Sequence, residues 1–335
     1  MATIRDVSER AGVSAATVSR VINGTSHVCH DKKLRIEKAI RELNYKRGFT
    51  RLSPRLNRNG GIGIVVPELG GPIYASIFQS IEECFCQFGY HIIATSGSND
   101  SSKQKESIEY LLSRRVDAII LCNLDLDDDY LMEIEKRGVP LVILNHYVPE
   151  LSESCIGIDH HSGGRIATQY LLNNGHTQIA CISGPQNKAG ARARLQGYKD
   201  ALTSANIEYN NDLVCEGDYL EASGAKAMER ILKRKQPFTA VFASNDRMAF
   251  GAMQTLRKHG LSVPEDVSLL GFDNWSFNQY ITPGITTINI PLKEMASETV
   301  QLILQKLSKK PCSVDFILQP TLVIRDSVQS LVVHS

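Results

Sequence analysis

Residues Thr3–Gly24 read "TIRDVSERAGVSAATVSRVING". Ile4, Val7 and Ala11 recur at helical spacing, Gly12-Val13-Ser14 break the run, and Val18 and Val21 share one face of a second run. The pattern predicts helix, tight turn, helix. Gly12 admits a positive φ at the end of the first helix, and Ser14 caps the second by accepting a backbone N–H. The exposed face of the second helix then offers Ala15, Ala16, Thr17, Ser19 and Arg20. Small residues permit close approach to a DNA groove, hydroxyls meet phosphates, and an arginine grips guanine through two acceptors.

The charge distribution agrees with that reading. Residues 1–60 hold 13 Lys and Arg against 5 Asp and Glu, leaving 24 against 31 for the remainder of a chain whose net charge is only +1. A solvated basic face would explain the charge alone; beside a helix-turn-helix pattern it points to a polyanion-binding head on a near-neutral body. A third helix is expected over about 31–43, where Ile36, Ala39, Ile40 and Leu43 recur. Residues 46–61, "KRGFTRLSPRLNRNGG", carry four Arg and one Lys, no acid, a proline and a Gly-Gly end, and read as a basic linker.

From residue 62 the rhythm changes to short apolar runs alternating with amphipathic segments. Strands are expected at "IGIVVP", "YHIIATS", "DAIILC", "PLVILN", "SCIGID", "QIACISG", "LVCEGD", "FTAVFAS" and "VSLLGFD". Helices are expected near 73–88, 101–115, 127–137, 162–174, 190–205, 221–235, 246–259 and 293–309. Roughly ten strands over this length suit two doubly wound parallel-sheet lobes better than one sheet. The organisation expected is 1–45 head, 46–61 linker and 62–335 core. Within the core, one lobe spans about 62–160 plus 290–318 and the other about 161–289 plus 319–330.

Ligands of such sheets lie beyond the carboxyl ends of the strands. There the sequence places Asn145-His146, Asp159-His160, Ser244-Asn245-Asp246 and Asp273-Asn274-Trp275. Each alone reads as a cap or turn; together, a carboxylate, amides and aromatics suit a polyhydroxylated ligand. The "DHH" at 159–161 suggests no metal site, because His160 and His161 would point to opposite faces if they continued the strand. An α/β enzyme is disfavoured: the glycines of "GGIGIVV" open a strand rather than a strand-to-helix turn, there is no GxxxxGK[ST] loop, and no cofactor is expected. Eight scattered cysteines without CxxC predict reduced, mostly buried thiols. "MATIRDVSER" is charged from residue 5 and no apolar run approaches spanning length, so a cytoplasmic protein with no membrane partner is expected. A periplasmic sugar-binding protein would lack the basic head.

With head and strand ends both in view, the chain resembles the LacI/GalR family of bacterial transcription repressors over nearly all of its length. The resemblance rests on "IRDVSERAGVSAATVSRVING", "RLQGYKDAL", "ASNDRMAFGAM", "VPEDVSLLGFDN" and "TPGITTI". It implies an all-α helix-turn-helix head joined to an α/β core of two doubly wound lobes like periplasmic sugar-binding proteins. It further implies a homodimer that reads near-palindromic operator DNA, associates with the nucleoid when bound, and answers a small effector. By position, Ala15, Ala16 and Arg20 would read bases, and Thr17, Ser19, Asn23 and His27 would hold or border phosphates. Thr3 and Ser14 complete the set.

In the core, Arg194 would bind ligand hydroxyls, with Asp159, Asn245 and Asp273 as further polar contacts. Tyr219 would be a stacking aromatic and Tyr74 would close over the ligand; His146 and Trp275 join them from the strand ends. A hexose or small glycoside is the expected effector, and a purine or nucleoside the alternative. The sequence departs from the family at the hinge: after Tyr45 it reads "RGFTRLSPRL", with Pro54 at the family's leucine position. Proline is tolerated only in the first turn of a helix, so a hinge helix would start later, with Ser53 as cap and Leu56 as minor-groove wedge. Arg51 and its neighbouring arginines would meet phosphates.

Overall fold

The computed structural model describes residues 4–15, 17–18, 21, 29–43, 59–98, 100–122, 126–309 and 317–332. The chain divides into two compact units, Met1–Asn57 and Arg58–Ser335.

In the first unit, α1 (Ile4–Ala11) ends where Gly12 takes a φ of +64°, a backbone geometry that favours glycine. Ser14 accepts the Thr17 N–H through Oγ at 3.2 Å, and Ala15, Thr17, Val18 and Val21 are helical. Then comes α2 (His30–Glu42). Val7, Ala11, Val18, Ile36 and Ala39 make a small core, and an ion pair between Arg10 and Glu42 at 2.7 Å joins α1 to α2 at its rim. Ser14 and Ala15 are exposed. Thr3, Ala16, Ser19, Arg20, Asn23, His27, Arg51, Pro54 and Leu56 lie outside the described residues.

The second unit holds two six-stranded sheets. The first contains β1 (Gly61–Val66), β2 (His91–Ser96), β3 (Ala118–Cys122), β4 (Leu141–Leu144), β5 (Cys155–Ile158) and β11 (Ile317–Leu318), in the order β11-β5-β4-β3-β1-β2. The second contains β6 (Ile179–Ser183), β7 (Val214–Glu216), β8 (Ala240–Ala243), β9 (Ser268–Asp273), β10 (Thr286–Asn289) and β12 (Thr321–Val323), in the order β12-β10-β9-β8-β6-β7. Every residue of β3 and β6 is buried, as strands covered by helices on both faces must be. The covering helices are α3 (Pro72–Cys86), α4 (Ser101–Ser113), α5 (Asp128–Lys136), α6 (His160–Asn173), α7 (Ala189–Ser204), α8 (Glu221–Lys233), α9 (Asp246–Lys258) and α10 (Leu292–Leu307). None of the described helices is long and apolar enough to cross a membrane.

Two findings depart from the sequence reading. The strands β10, β11 and β12 are not among those singled out in the sequence, being only four, two and three residues long, and β12 pairs antiparallel with β10 in an otherwise parallel sheet. His160 and His161 begin α6 instead of extending β5, and the Asp159 carboxylate caps that helix by accepting the Ser162 N–H at 2.8 Å. The cysteines agree with the sequence reading: of the seven described, all free, Cys122, Cys155, Cys181 and Cys215 are buried, Cys84 is half-buried, and Cys29 and Cys86 are exposed.

The lobes are joined three times, between β5 and α6, between β10 and α10, and between β11 and β12. Two of these crossings are tied side by side where the Asp159 N–H donates to the Leu318 carbonyl at 3.0 Å. Within the second lobe, α6 and α7 meet through glycines. A Cβ on Gly164 would lie 3.0 Å from Arg194 Cα, and one on Gly197 would lie 2.7 Å from Arg165 N. That approach sets where Arg194 stands.

Candidate functional site

A cavity of about 450 Å³ opens between the lobes at the carboxyl ends of their strands. One lobe contributes the segment after β1 (Pro67, Glu68, Gly71–Tyr74) and Asn145 after β4; the other contributes His160, Arg194, Tyr219, Asn245–Arg247, Asp273 and Trp275. A groove of similar size between α3 and α10 is lined by Cys84, Phe88, Val300, Leu304 and uncharged polar residues, with no carboxylate, Lys, Arg or His. Chemistry therefore concentrates between the lobes.

Arg194 is the buried cation there, only 7 % exposed. Its Nη1 donates to the Ser244 carbonyl and lies 3.5 Å from Asp273 Oδ1, and its Nε donates to His160 Nδ1 at 3.3 Å. The guanidinium sits 3.7 Å from the centre of the Phe272 ring. Burial, followed by the Arg194 charge, holds the His160 imidazole well below its usual value, so it is neutral and its Nδ1 is the acceptor. The Nη2 of Arg194 makes no hydrogen bond among the described residues and is the donor left for a ligand.

Two carboxylates lie beside it, Asp246 buried and Asp273 largely so. Asp273 is pushed up to about 6 by burial, against the pull of Arg194. Asp246 is pushed up to about 7 by burial and by the Asp273 charge. Asp246 accepts the Thr287 hydroxyl at 2.6 Å and the Trp275 N–H at 2.7 Å, which fixes the turn that carries the indole. Asn245 accepts the Met248 N–H at the start of α9 and donates to the Tyr219 carbonyl, each at 2.9 Å. That second bond holds Tyr219 at a φ of +71°. Asn145 has a buried Oδ1 with no partner among the described residues.

Of the eight residues expected to bind ligand, Tyr74, Arg194, Tyr219, Asn245, Asp273 and Trp275 line the cavity; His146 and Asp159 do not. The His146 ring pairs with Asp128 at 2.9 Å, and the Asp159 carboxylate is spent capping α6. His160 and His161 diverge as adjacent helix residues do: one turns to Arg194, the other to Asp200 at 2.7 Å. No group of three or more His, Cys, Asp or Glu among the described residues has a metal-holding arrangement. The sequence reading missed Glu68 and Arg247, which meet at 3.1 Å across the mouth of the cavity. Glu68 stands just after β1, where the strand-end rule would have found it.

The family model "Bacterial regulatory proteins, lacI family" matches residues 3–48, and the model "Periplasmic binding protein-like domain" matches residues 168–328. The HTH-type transcriptional repressor PurR of Aliivibrio salmonicida (strain LFI1238) is 34% identical over 334 residues, covering 99% of this chain and 100% of the relative. Among solved structures, the lac repressor dimer bound to operator and the anti-inducer ONPF superposes with a TM-score of 0.80 at 29% identity, covering 98% of this chain and 99% of that one. The complex of the transcriptional regulator CelR with cellobiose superposes with a TM-score of 0.74 at 33% identity, covering 98% and 100%.

Proposed function

Because the chain belongs to the lacI family of bacterial regulatory proteins and is a DNA-binding transcriptional repressor, we propose that a hexose or small glycoside held between its lobes controls its affinity for operator DNA. The observation that carries this reading is the buried pairing of Arg194 with Asp273 beside Tyr219. A fixed donor, a fixed acceptor and a ring face are what a hydroxyl-rich ring requires for orientation. The cellobiose bound by CelR belongs to the same chemical class. A purine or nucleoside is the second reading, favoured by the three aromatics Tyr74, Tyr219 and Trp275 around one cavity.

Control works through linkage. A ligand that binds one arrangement of the lobes more tightly than another shifts the population between them, and operator affinity changes by the difference. In the homodimer we propose, the two heads read paired half-sites, with Ala15, Ala16 and Arg20 at the bases. Thr17, Ser19, Asn23 and His27 would hold or border phosphates, Thr3 and Ser14 belong to the same DNA-binding set, and Arg51 and Leu56 would act at the hinge. The test is capture of genomic DNA fragments by the purified protein, with and without sugars, glycosides and nucleosides. Near-palindromic sites whose occupancy changes with one compound are expected. Sites indifferent to every compound would overturn effector control.

A further inference from the structure

Glu68 and Arg247, two of the residues that line the cavity, carry charge across the gap between the lobes. Arg247, the second residue of α9, sends Nε and Nη2 to the two carboxylate oxygens of Glu221 at 2.7 and 2.9 Å and Nη1 to Glu68 Oε1 at 3.1 Å. Glu221 begins α8 in the second lobe, whereas Glu68 follows β1 in the first. One guanidinium thus joins both lobes. The hydrogen bonds from Arg247 hold Glu221 below the usual carboxylate range, so it is ionised. One cation held by two carboxylates leaves the clasp with a net charge of −1.

The interior offers an anion no better reception. Arg194 is engaged through Nε and Nη1 by His160, a backbone carbonyl and Asp273, which leaves it a single nitrogen, Nη2, with its charge already matched by Asp273, and Lys188 is itself engaged. Against the cations Lys188, Arg194 and Arg247, the lining sets the acids Glu68, Asp218, Asp246 and Asp273. Burial, and after it the charge of Asp273, raises the affinity of Asp246 for a proton, so further negative charge is unwelcome beside it. A phosphate needs a cation or N–H cluster not spoken for by carboxylates.

We propose that the Glu68–Arg247–Glu221 clasp makes the interlobe cavity anion-excluding, so that it admits uncharged hydroxyl-rich effectors and rejects their phosphorylated forms. The inference rests on the cavity being the effector site. A phosphorylated sugar brings close to two negative charges to a mouth that already carries one in excess, and should bind roughly 30-fold or more weakly than its uncharged parent.

Titration calorimetry on the full-length protein tests this with glucose and glucose 6-phosphate, galactose and galactose 1-phosphate, cellobiose, and inorganic phosphate. No phosphorylated probe should bind wild type more tightly than its parent. The double variant Glu68→Gln, Glu221→Gln frees the guanidinium and should bind inorganic phosphate at least tenfold more tightly than wild type. Adding Arg247→Gln should abolish that gain, which separates the cavity from the basic head. Glu68→Gln alone should give a smaller gain in the same direction and serves if the double variant does not fold.

A phosphorylated probe that wild type prefers, or variants that fold and gain nothing, would overturn anion exclusion. If no uncharged probe binds wild type while the double variant gains phosphate through Arg247, the sugar reading fails and the exclusion stands. If a phosphorylated sugar binds wild type and changes operator occupancy, effector control stands and the exclusion fails.

Discussion

Gly164→Ala tests whether the approach of α6 to α7 is what positions Arg194. The added methyl would lie 2.9 Å from the Arg194 carbonyl carbon and 3.0 Å from its Cα, with the carbonyl oxygen nearer still. All three are backbone atoms, so no rotamer change relieves the contact. Carbon atoms settle at about 3.5 Å or more, which obliges α7 to retreat by roughly 1 Å. Overpacking against backbone belongs at the upper end of the usual range, about 3 kcal/mol. The better helix propensity of alanine returns about 1 kcal/mol, leaving a net loss of about 2 kcal/mol.

The retreat also pulls Arg194 from His160 and Asp273, now at 3.3 and 3.5 Å. Losing one charged hydrogen bond to the effector costs about 1.5–3 kcal/mol, or roughly 10- to 100-fold in affinity. Urea unfolding and effector titration of the same preparation measure both effects. Gly70→Ala is the control, since a methyl there meets nothing within 4 Å. Stability at or above wild type with unchanged effector affinity would show that the helices adjust freely, and that the close approach does not hold Arg194.

Further predictions address the head and the buried acids. Ser14→Ala removes the cap on the Thr17 N–H and should cost about 1 kcal/mol in urea melts; an unchanged midpoint would mean the turn holds without it. Arg20→Ala should abolish the preference for operator over random DNA in competition binding while leaving effector affinity intact, and retained selectivity would remove Arg20 from the readout. Asp273 binds its proton more tightly folded than unfolded, so it favours the folded state at low pH, and that contribution is lost as pH rises from about 4 to 6. Asp273→Asn should therefore gain stability relative to wild type across that window; a difference independent of pH would argue against the burial effect.

Much of the architecture was legible because it is written in local chemistry. Gly12 and Ser14 announce a turn through a backbone requirement and a cap, and the buried parallel strands betray themselves as apolar runs. The strands β10 to β12 stand out less, because "TTIN" holds one aliphatic residue and the other two strands pair over only two and three residues. At the site, the strand-end rule located the right loops but not how each side chain is spent. Asp159 and His146 stand at strand ends as Asp273 does, yet one caps its own helix and the other pairs with Asp128. Arg247 was invisible for a different reason: its partners are distant in sequence, Glu221 meeting it through the packing of α8 on α9 and Glu68 only once the lobes are assembled.

The three connections between the lobes carry a mechanical consequence. Two bodies on one tether can bend, twist and slide independently, but adjacent straps bound to one another leave little except rotation about the line that runs through them. Such a joint behaves like a door on several pins. An effector then has one angle to set rather than an ensemble to sort. A single pair of spectroscopic labels, one near Glu68 and one near Arg247, would read that angle directly. The hydrogen bond from Asp159 to Leu318 keeps the straps together, so a residue that the strand-end rule assigned to the ligand serves the bearing of the hinge.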